Sequence, residues 1–216
     1  ENKALANRPD LFSHYGVAKE IAIIKNLPIK KILFKKIKSK NNLPLKIKFE
    51  AQDLCPRYMA ITIEGIKIGA SPSWLQSRLR VLGLRPINNI VDITNYILLE
   101  LGQPLHAFDY DLLKDQEIVV RKANKGEKIK TLDGAERELE ETDLLIADSA
   151  KPLALAGIMG GEDSGINEKT KNIVIESANF NPVAIRKTSH RLVLRTEAST
   201  RFDKGLPIVL AEEGLW

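Results

Sequence analysis

The 216-residue sequence predicts an α+β fold of mixed helices and largely antiparallel sheets, a single compact domain with an inserted β-subdomain. Three observations carry that expectation. The stretch Gly83–Asp109 places Ile90, Ile93, Ile97, Leu98 and Leu101 at three- and four-residue spacing behind Asn88 and Asn89, the pattern of a capped amphipathic helix. The stretch after His106 turns strand-rich around Asp133-Gly134, a strong hairpin dipeptide. Helical and strand patterns follow one another without strict alternation, which favours α+β over a doubly wound sheet.

In chain order, the sequence begins on Glu1 rather than Met and reads as a piece of something longer. Pro9 and Asp10 open a helix through about Asn26, with Leu11, Tyr15, Ala18 and Ala22 on one face. Residues 27–48 form a lysine-rich connector. Residues 43–50 and 57–66 alternate apolar and polar side chains, so two strands are expected, candidates for neighbours in one sheet. Ser71-Pro72 is a helix-start pair, with Trp74, Leu75, Leu79 and Leu82 as the buried stripe up to Gly83. This helix packs beside the next, which stops at Gly102 because Pro104 moves Gln103 out of helical geometry. A tight segment then delivers His106, Phe108 and Asp109, with Thr94 and His106 lining one concavity. Strands are expected at 117–123, 144–148, 153–157 and 172–178, and a hairpin at 129–140. Asn181-Pro182 caps a following helix, and RTEASTRFDKG returns to helix. Four units result: 1–26, an N-terminal helix; 27–48, the connector; 49–205, the main domain; and 206–216, the start of a truncated following segment.

Composition narrows the function classes. A hydrophobic content of 44% supports a core. No apolar run reaches the about 18 residues of a membrane span, and no signal or transit peptide opens the chain, so a soluble cytoplasmic monomer is expected. Cys55 is the only cysteine, which excludes an internal disulfide. His14, His106 and His190 form no ligand pair, so no metal is expected. The net charge of +5 is local: nine of 33 basic residues are lysines in 25–48, leaving 24 against 28 acidic residues elsewhere, a net of -4. That lysine segment lacks the interleaved aromatics and arginines of a base-stacking surface, leaving a solvated connector or a phosphate-contacting arm.

Several residues are candidates for chemistry. Gly157, Gly160 and Gly161 permit a sharp turn that presents amide N–H groups at close range, as a structural turn or a pocket wall. A nucleotide cradle is disfavoured, because the Lys-Ser/Thr end of a phosphate loop is missing and carboxylates follow. Glu176 comes directly after an apolar strand, where an ionised group is costly unless paired; the solvent face of an edge strand is the alternative. His106 is either a satisfied structural histidine or part of a site. Thr196 and Ser199 beside Arg195 and Arg201 are either a helix cap or site residues. No Ser-His-Asp or Cys-His arrangement is present.

Taken in order, NRPD at 7–10, GLRPINNIVDITNY at 83–96, GQPLHAFD at 102–109, KTLDG at 130–134, LALAGIMGG at 153–161, IES at 175–177 and RTEASTRFDKG at 195–205 closely resemble the editing domain of bacterial phenylalanyl-tRNA synthetase beta subunits. The resemblance runs from Asn7 to about Ala211, and QPLHAFD followed by LAGIMGG is its most specific part. It implies hydrolysis of tyrosine mischarged on phenylalanine tRNA, in support of accurate aminoacylation by a ligase whose other modules this chain lacks. A pocket made for phenylalanine rejects an added hydroxyl by only about 100-fold, so a second sieve is needed. By similarity, Glu176 and the Gly157 N–H bind the tyrosine hydroxyl. Ala156, Gly160 and Ala198 leave space for the ring, and Thr94, His106 and Thr196 sit near the ester, orienting the terminal adenosine and the attacking water.

The implied partners are the acceptor end of phenylalanine tRNA and, in the full enzyme, the alpha subunit, with no membrane and no DNA. No cofactor is implied for this portion; ATP and Mg belong to the full enzyme. A non-catalytic tRNA- or protein-binding module of the same fold is the alternative. If the lysine segment touches tRNA, neutralising Lys30, Lys31, Lys35 and Lys36 is expected to flatten the salt dependence of binding without altering amino-acid choice. An unchanged salt slope returns the segment to plain connector.

Overall fold

A computed structural model describes residues 7–30, 32–34 and 42–216. Much of the lysine-rich connector, including Lys31, Lys35 and Lys36, lies outside the described residues. The N-terminal helix is not continuous. Residues Pro9–Phe12 make a 3-10 turn, and Ser13 in extended geometry caps a separate helix, α1 (His14–Lys25), by accepting from the Gly16 N–H at 3.0 Å. Gly16 is the residue this helix buries, because Asp10 O lies where a Cβ would stand. Ala18 of the expected apolar face is exposed.

The two alternating stretches yield β1 (Lys46–Phe49) and β2 (Arg57–Ile63), but in different sheets. β1 takes its first three residues from the stretch read as connector. Next comes α2 (Ser73–Val81), one residue beyond the expected proline start. Ser71 does not cap it, since its hydroxyl donates instead to the buried Asp92 carboxylate at 2.5 Å. Of the expected stripe, Leu75 and Leu79 are buried, whereas Trp74 and Leu82 are exposed. α2 packs beside α3 (Asn89–Leu101), as expected. Asn88 caps α3 by accepting from the N–H groups of Ile90 and Val91, and Gly102, at φ 85°, ends it. Removing that cap in Asn88→Ala is expected to cost about 1 kcal/mol, or about 2–4 °C of thermal midpoint for a chain of this size. Thermal unfolding followed by circular dichroism checks this, and an unchanged midpoint would mean the side chain carries none of the stability.

The tight segment after Gly102 is a strand, β3 (Leu105–Asp109). Then follow β4 (Glu117–Lys122), the hairpin β5 (Lys128–Lys130) and β6 (Glu136–Glu138) with Gly134 at φ 79°, β7 (Leu144–Ala147), β8 (Pro152–Leu155), the short β9 (Met159–Gly160) and β10 (Ile173–Asn179). Asn181 caps α4 (Pro182–Arg191), and α5 (Glu197–Phe202) and α6 (Leu210–Leu215) close the chain. The expected β-subdomain is divided: β4 joins β1 in a five-stranded sheet ordered β1-β4-β7-β8-β9, with β1 parallel to β4, while the hairpin strands β5 and β6 pair only with each other. The other main sheet is β2-β10-β3, antiparallel throughout. Among the described residues no helix is long and apolar enough to cross a membrane.

Strand period decides what lies between these layers. Along β10, Val174 and Ala178 join the main core with Tyr58, Phe108, Ile146 and Leu155. Ile173 and Ile175 instead meet Ala107 and Leu215 in a second, smaller cluster. α3 packs on β3, and α6 packs on β10 and β2, so residues 206–216 complete this layer. Glu176 has the parity of Val174 and Ala178, and so points inward.

Candidate functional site

The site starts from the central strand. All residues of β10 are buried, and Glu176 stands opposite Ala60 on one neighbouring strand and His106 on the other. The edge-strand alternative for Glu176 is therefore excluded: its residue is 7% exposed and lies mid-sheet. Tyr58, diagonal to it on β2, donates its hydroxyl to Glu176 Oε2 at 2.8 Å. Burial raises the Glu176 pKa to about 7, opposed by the Tyr58 hydrogen bond, which favours the ionised form. Burial also pushes the Tyr58 phenol well above its usual range, with the charge of Glu176 adding to the effect.

Glu176 lines a cavity of about 210 Å³ together with His106 and Leu105 of β3, residues 154–160 across β8 and β9, and Ala198 and Phe202 of α5. The volume falls below the about 300 Å³ at which drug-sized pockets begin, so it suits one side chain rather than a nucleotide. Two glycines shape this wall for different reasons. Gly157 adopts φ 66°, and a Cβ there would come within 2.9 Å of Phe180 and 3.0 Å of Phe202. That turn leaves the Gly157 N–H with no acceptor among the described residues. Gly160 is small for another cause, since a Cβ would lie 2.5 Å from His106 Cε1. The space above Gly160 belongs to the imidazole.

His106 packs edge-on against Phe108, with ring centroids 4.5 Å apart. Burial lowers its pKa to about 4, so the ring is neutral at physiological pH. Its Nε2 is buried without a hydrogen-bond partner. A satisfied structural histidine would not leave that atom open.

Six of the residues expected from the sequence thus meet around one cavity: His106, Ala156, Gly157, Gly160, Glu176 and Ala198. Thr94 and Thr196 are not among its lining. Thr94 is thus not brought into the cavity that His106 lines, and its hydroxyl donates to Val91 O on its own helix at 2.8 Å. Thr196 caps α5 in a capping box with Ser199 and donates to Ile158 O at 2.9 Å, tying the helix start to the Gly157 turn. Tyr58 escaped the sequence reading. Its signal was the alternation of residues 57–66, which puts Tyr58 in phase with Ala60 on the inward face. Among the described residues no group of three or more His, Cys, Asp or Glu side chains is placed to hold a metal.

A family model described as "B3/4 domain" matches residues 54–215, which include every residue of the cavity. The chain belongs to the B3/4 domain family. Similar proteins include the phenylalanine--tRNA ligase beta subunits of Carboxydothermus hydrogenoformans, 52% identical over 202 residues and covering 94% of this chain, and of Moorella thermoacetica, 52% identical over 204 residues and covering 93%. That of Staphylococcus aureus is 47% identical over 211 residues. The chain spans 25% of the length of the first two relatives, so this B3/4 domain corresponds to one portion of such subunits. An N-terminal fragment of the phenylalanyl-tRNA synthetase beta subunit from Pyrococcus horikoshii shares the fold, with a TM-score of 0.50 at 23% identity, covering 89% of this chain and 59% of that one.

Proposed function

We propose that this B3/4 domain hydrolyses tyrosine from mischarged phenylalanine tRNA, as the editing portion of a phenylalanine--tRNA ligase beta subunit. The observation that carries the reading is a buried carboxylate in a mostly apolar, amino-acid-sized cavity that also holds the His106 ring and a turn with an unused backbone N–H. Such a pair suits a hydroxyl, which donates to Glu176 and accepts from Gly157. Phenylalanine makes neither bond and leaves one carboxylate oxygen desolvated with no donor beyond the Tyr58 bond to the other, a cost that discriminates more strongly than ring contacts do. Ala156 and Ala198 keep the walls low beside the ring, and Gly160 makes room for His106.

For the ester end, the neutral imidazole of His106 orients a water by hydrogen bonding, because a base with a pKa of about 4 holds little positive charge at neutral pH. A vicinal ribose hydroxyl of the substrate assists the water. Thr94 and Thr196 act from outside the cavity, Thr196 through the turn it ties down. The partners of this function are the acceptor end of phenylalanine tRNA and, in the assembled ligase, the alpha subunit.

Deacylation of tyrosyl- and phenylalanyl-tRNA, measured side by side, tests the reading. Faster loss of tyrosine supports it. Binding of tRNA without hydrolysis would favour the non-catalytic module.

A further inference from the structure

Tyr58 is the hydrogen-bond partner of Glu176, yet the proposed hydrolysis gives it no role. We propose that Tyr58 is the positioning residue of the hydroxyl-reading site: by donating to Oε2 it fixes the carboxylate so that Oε1 alone addresses the cavity as an acceptor. The inference rests on the proposed function and deepens it.

The geometry is specific. Tyr58 is 7% exposed and its ring packs edge-on against Phe49 of β1, with centroids 6.2 Å apart and planes at 80°. The phenol therefore cannot swing away without opening the main core. A buried tyrosine hydroxyl needs a partner, and so does a buried carboxylate; at 2.8 Å each supplies the other. One donor satisfies one oxygen. Oε1 has no protein donor among the described residues and is not one of the sealed, unpartnered atoms, so it is open to the cavity that Glu176 lines. A substrate hydroxyl then becomes the second donor on the same carboxylate.

Three titratable groups surround Glu176: Tyr58 on β2, Cys55 in the loop before it, and His106 opposite on β3. Cys55 is a buried thiol pushed up to about 12, and His106 is neutral, so neither puts a charge beside the carboxylate at neutral pH. The far wall contributes Ile146, residues 154–160, Ala198 and Phe202, none of them titratable. Desolvation therefore drives Glu176 toward protonation, and Tyr58 is the contact that resists it.

The test is Tyr58→Phe in the full-length protein that carries this domain, with tyrosyl-tRNA deacylation followed from about pH 5.5 to about pH 8.5, a range spanning the Glu176 titration. The wild-type rate should rise with pH through about 7 as the carboxylate ionises. Tyr58→Phe should move that rise upward by about one pH unit and lower the neutral-pH rate roughly fivefold, with recovery at the alkaline end. Phenylalanyl-tRNA deacylation should not change. A lower plateau with an unmoved midpoint would mean that Tyr58 only packs, and would overturn the inference. Should the phenylalanine variant fail to fold, 3-fluorotyrosine at position 58 keeps the shape while strengthening the donor, and must move the midpoint downward; no movement overturns the inference. Glu176→Ala separates the two levels. If it collapses the tyrosine preference while Tyr58 variants leave the midpoint alone, only the role of Tyr58 falls. If it leaves the preference intact, the hydroxyl-reading function falls as well.

Discussion

Ala198→Trp is expected to abolish hydrolysis of tyrosyl-tRNA while moving the thermal midpoint by no more than about 2–4 °C, the equivalent of about 1 kcal/mol in a chain of this size. Ala198 stands on α5 at the edge of the cavity, half-buried, beside Phe202. An indole there projects into a space of about 210 Å³, which leaves no volume for a substrate ring. Overfilling a packed core costs about 1–3 kcal/mol, whereas filling an existing void strains little. Activity and thermal unfolding measured on the same preparation decide the matter. Lost activity with a nearly unchanged midpoint means the cavity is the binding site. A variant that unfolds means Ala198 is small for packing and the substrate binds elsewhere.

Gly160 shows why smallness alone does not identify a pocket. By family likeness, Ala156, Gly160 and Ala198 leave space for a ring and Gly157 offers its N–H to the hydroxyl, and all four do line the cavity. Yet Gly160 is small because His106 lies over it, and Gly157 because a left-handed turn carries its backbone past Phe180 and Phe202. Both causes depend on side chains distant in sequence. Local signals were legible where the physics is local: the Asn88 cap, the Gly102 stop, the Asp133-Gly134 hairpin and the Asn181-Pro182 start all follow from bonding within a few residues. The break at Ser13 was missed because its hydroxyl caps α1 where the helical pattern reads straight through.

Sheet partners were the least legible. β1 and β2 are consecutive and alternate alike, yet β1 pairs in parallel with β4 and β2 pairs with β10. Register across such separations is set by which faces must be buried, and nothing in either strand alone specifies it. The same gap hid Tyr58, whose contact with Glu176 exists only once β2 lies against β10. Thr94 and Thr196 illustrate the converse: a family likeness attached them to the ester end, while their hydroxyls are committed to Val91 O and Ile158 O outside the cavity lining.

Glu176→Ala is expected to lower the rate on tyrosyl-tRNA by roughly 10- to 100-fold, because a hydrogen bond to an ionised group contributes about 1.5–3 kcal/mol. The rate on phenylalanyl-tRNA should barely fall, since phenylalanine never made that bond and the desolvated carboxylate that excluded it is gone. The ratio of the two rates must therefore collapse. Stability supplies an independent readout with a definite sign. The Glu176 pKa is about 7 in the folded chain against an ordinary 4.5, so between those values the folded state holds a proton that the unfolded state releases. Stability consequently falls as pH rises from about 4.5 to about 7, a cost the carboxylate imposes on the fold. Glu176→Gln, which keeps the shape, should remove that part of the pH dependence, and denaturant unfolding at acid and neutral pH measures it. Equal rate losses on both esters would mean Glu176 acts on the shared ester or on the fold. In that event hydroxyl reading would have to be abandoned, even if the pH dependence of stability behaved as expected, because burial alone accounts for the latter.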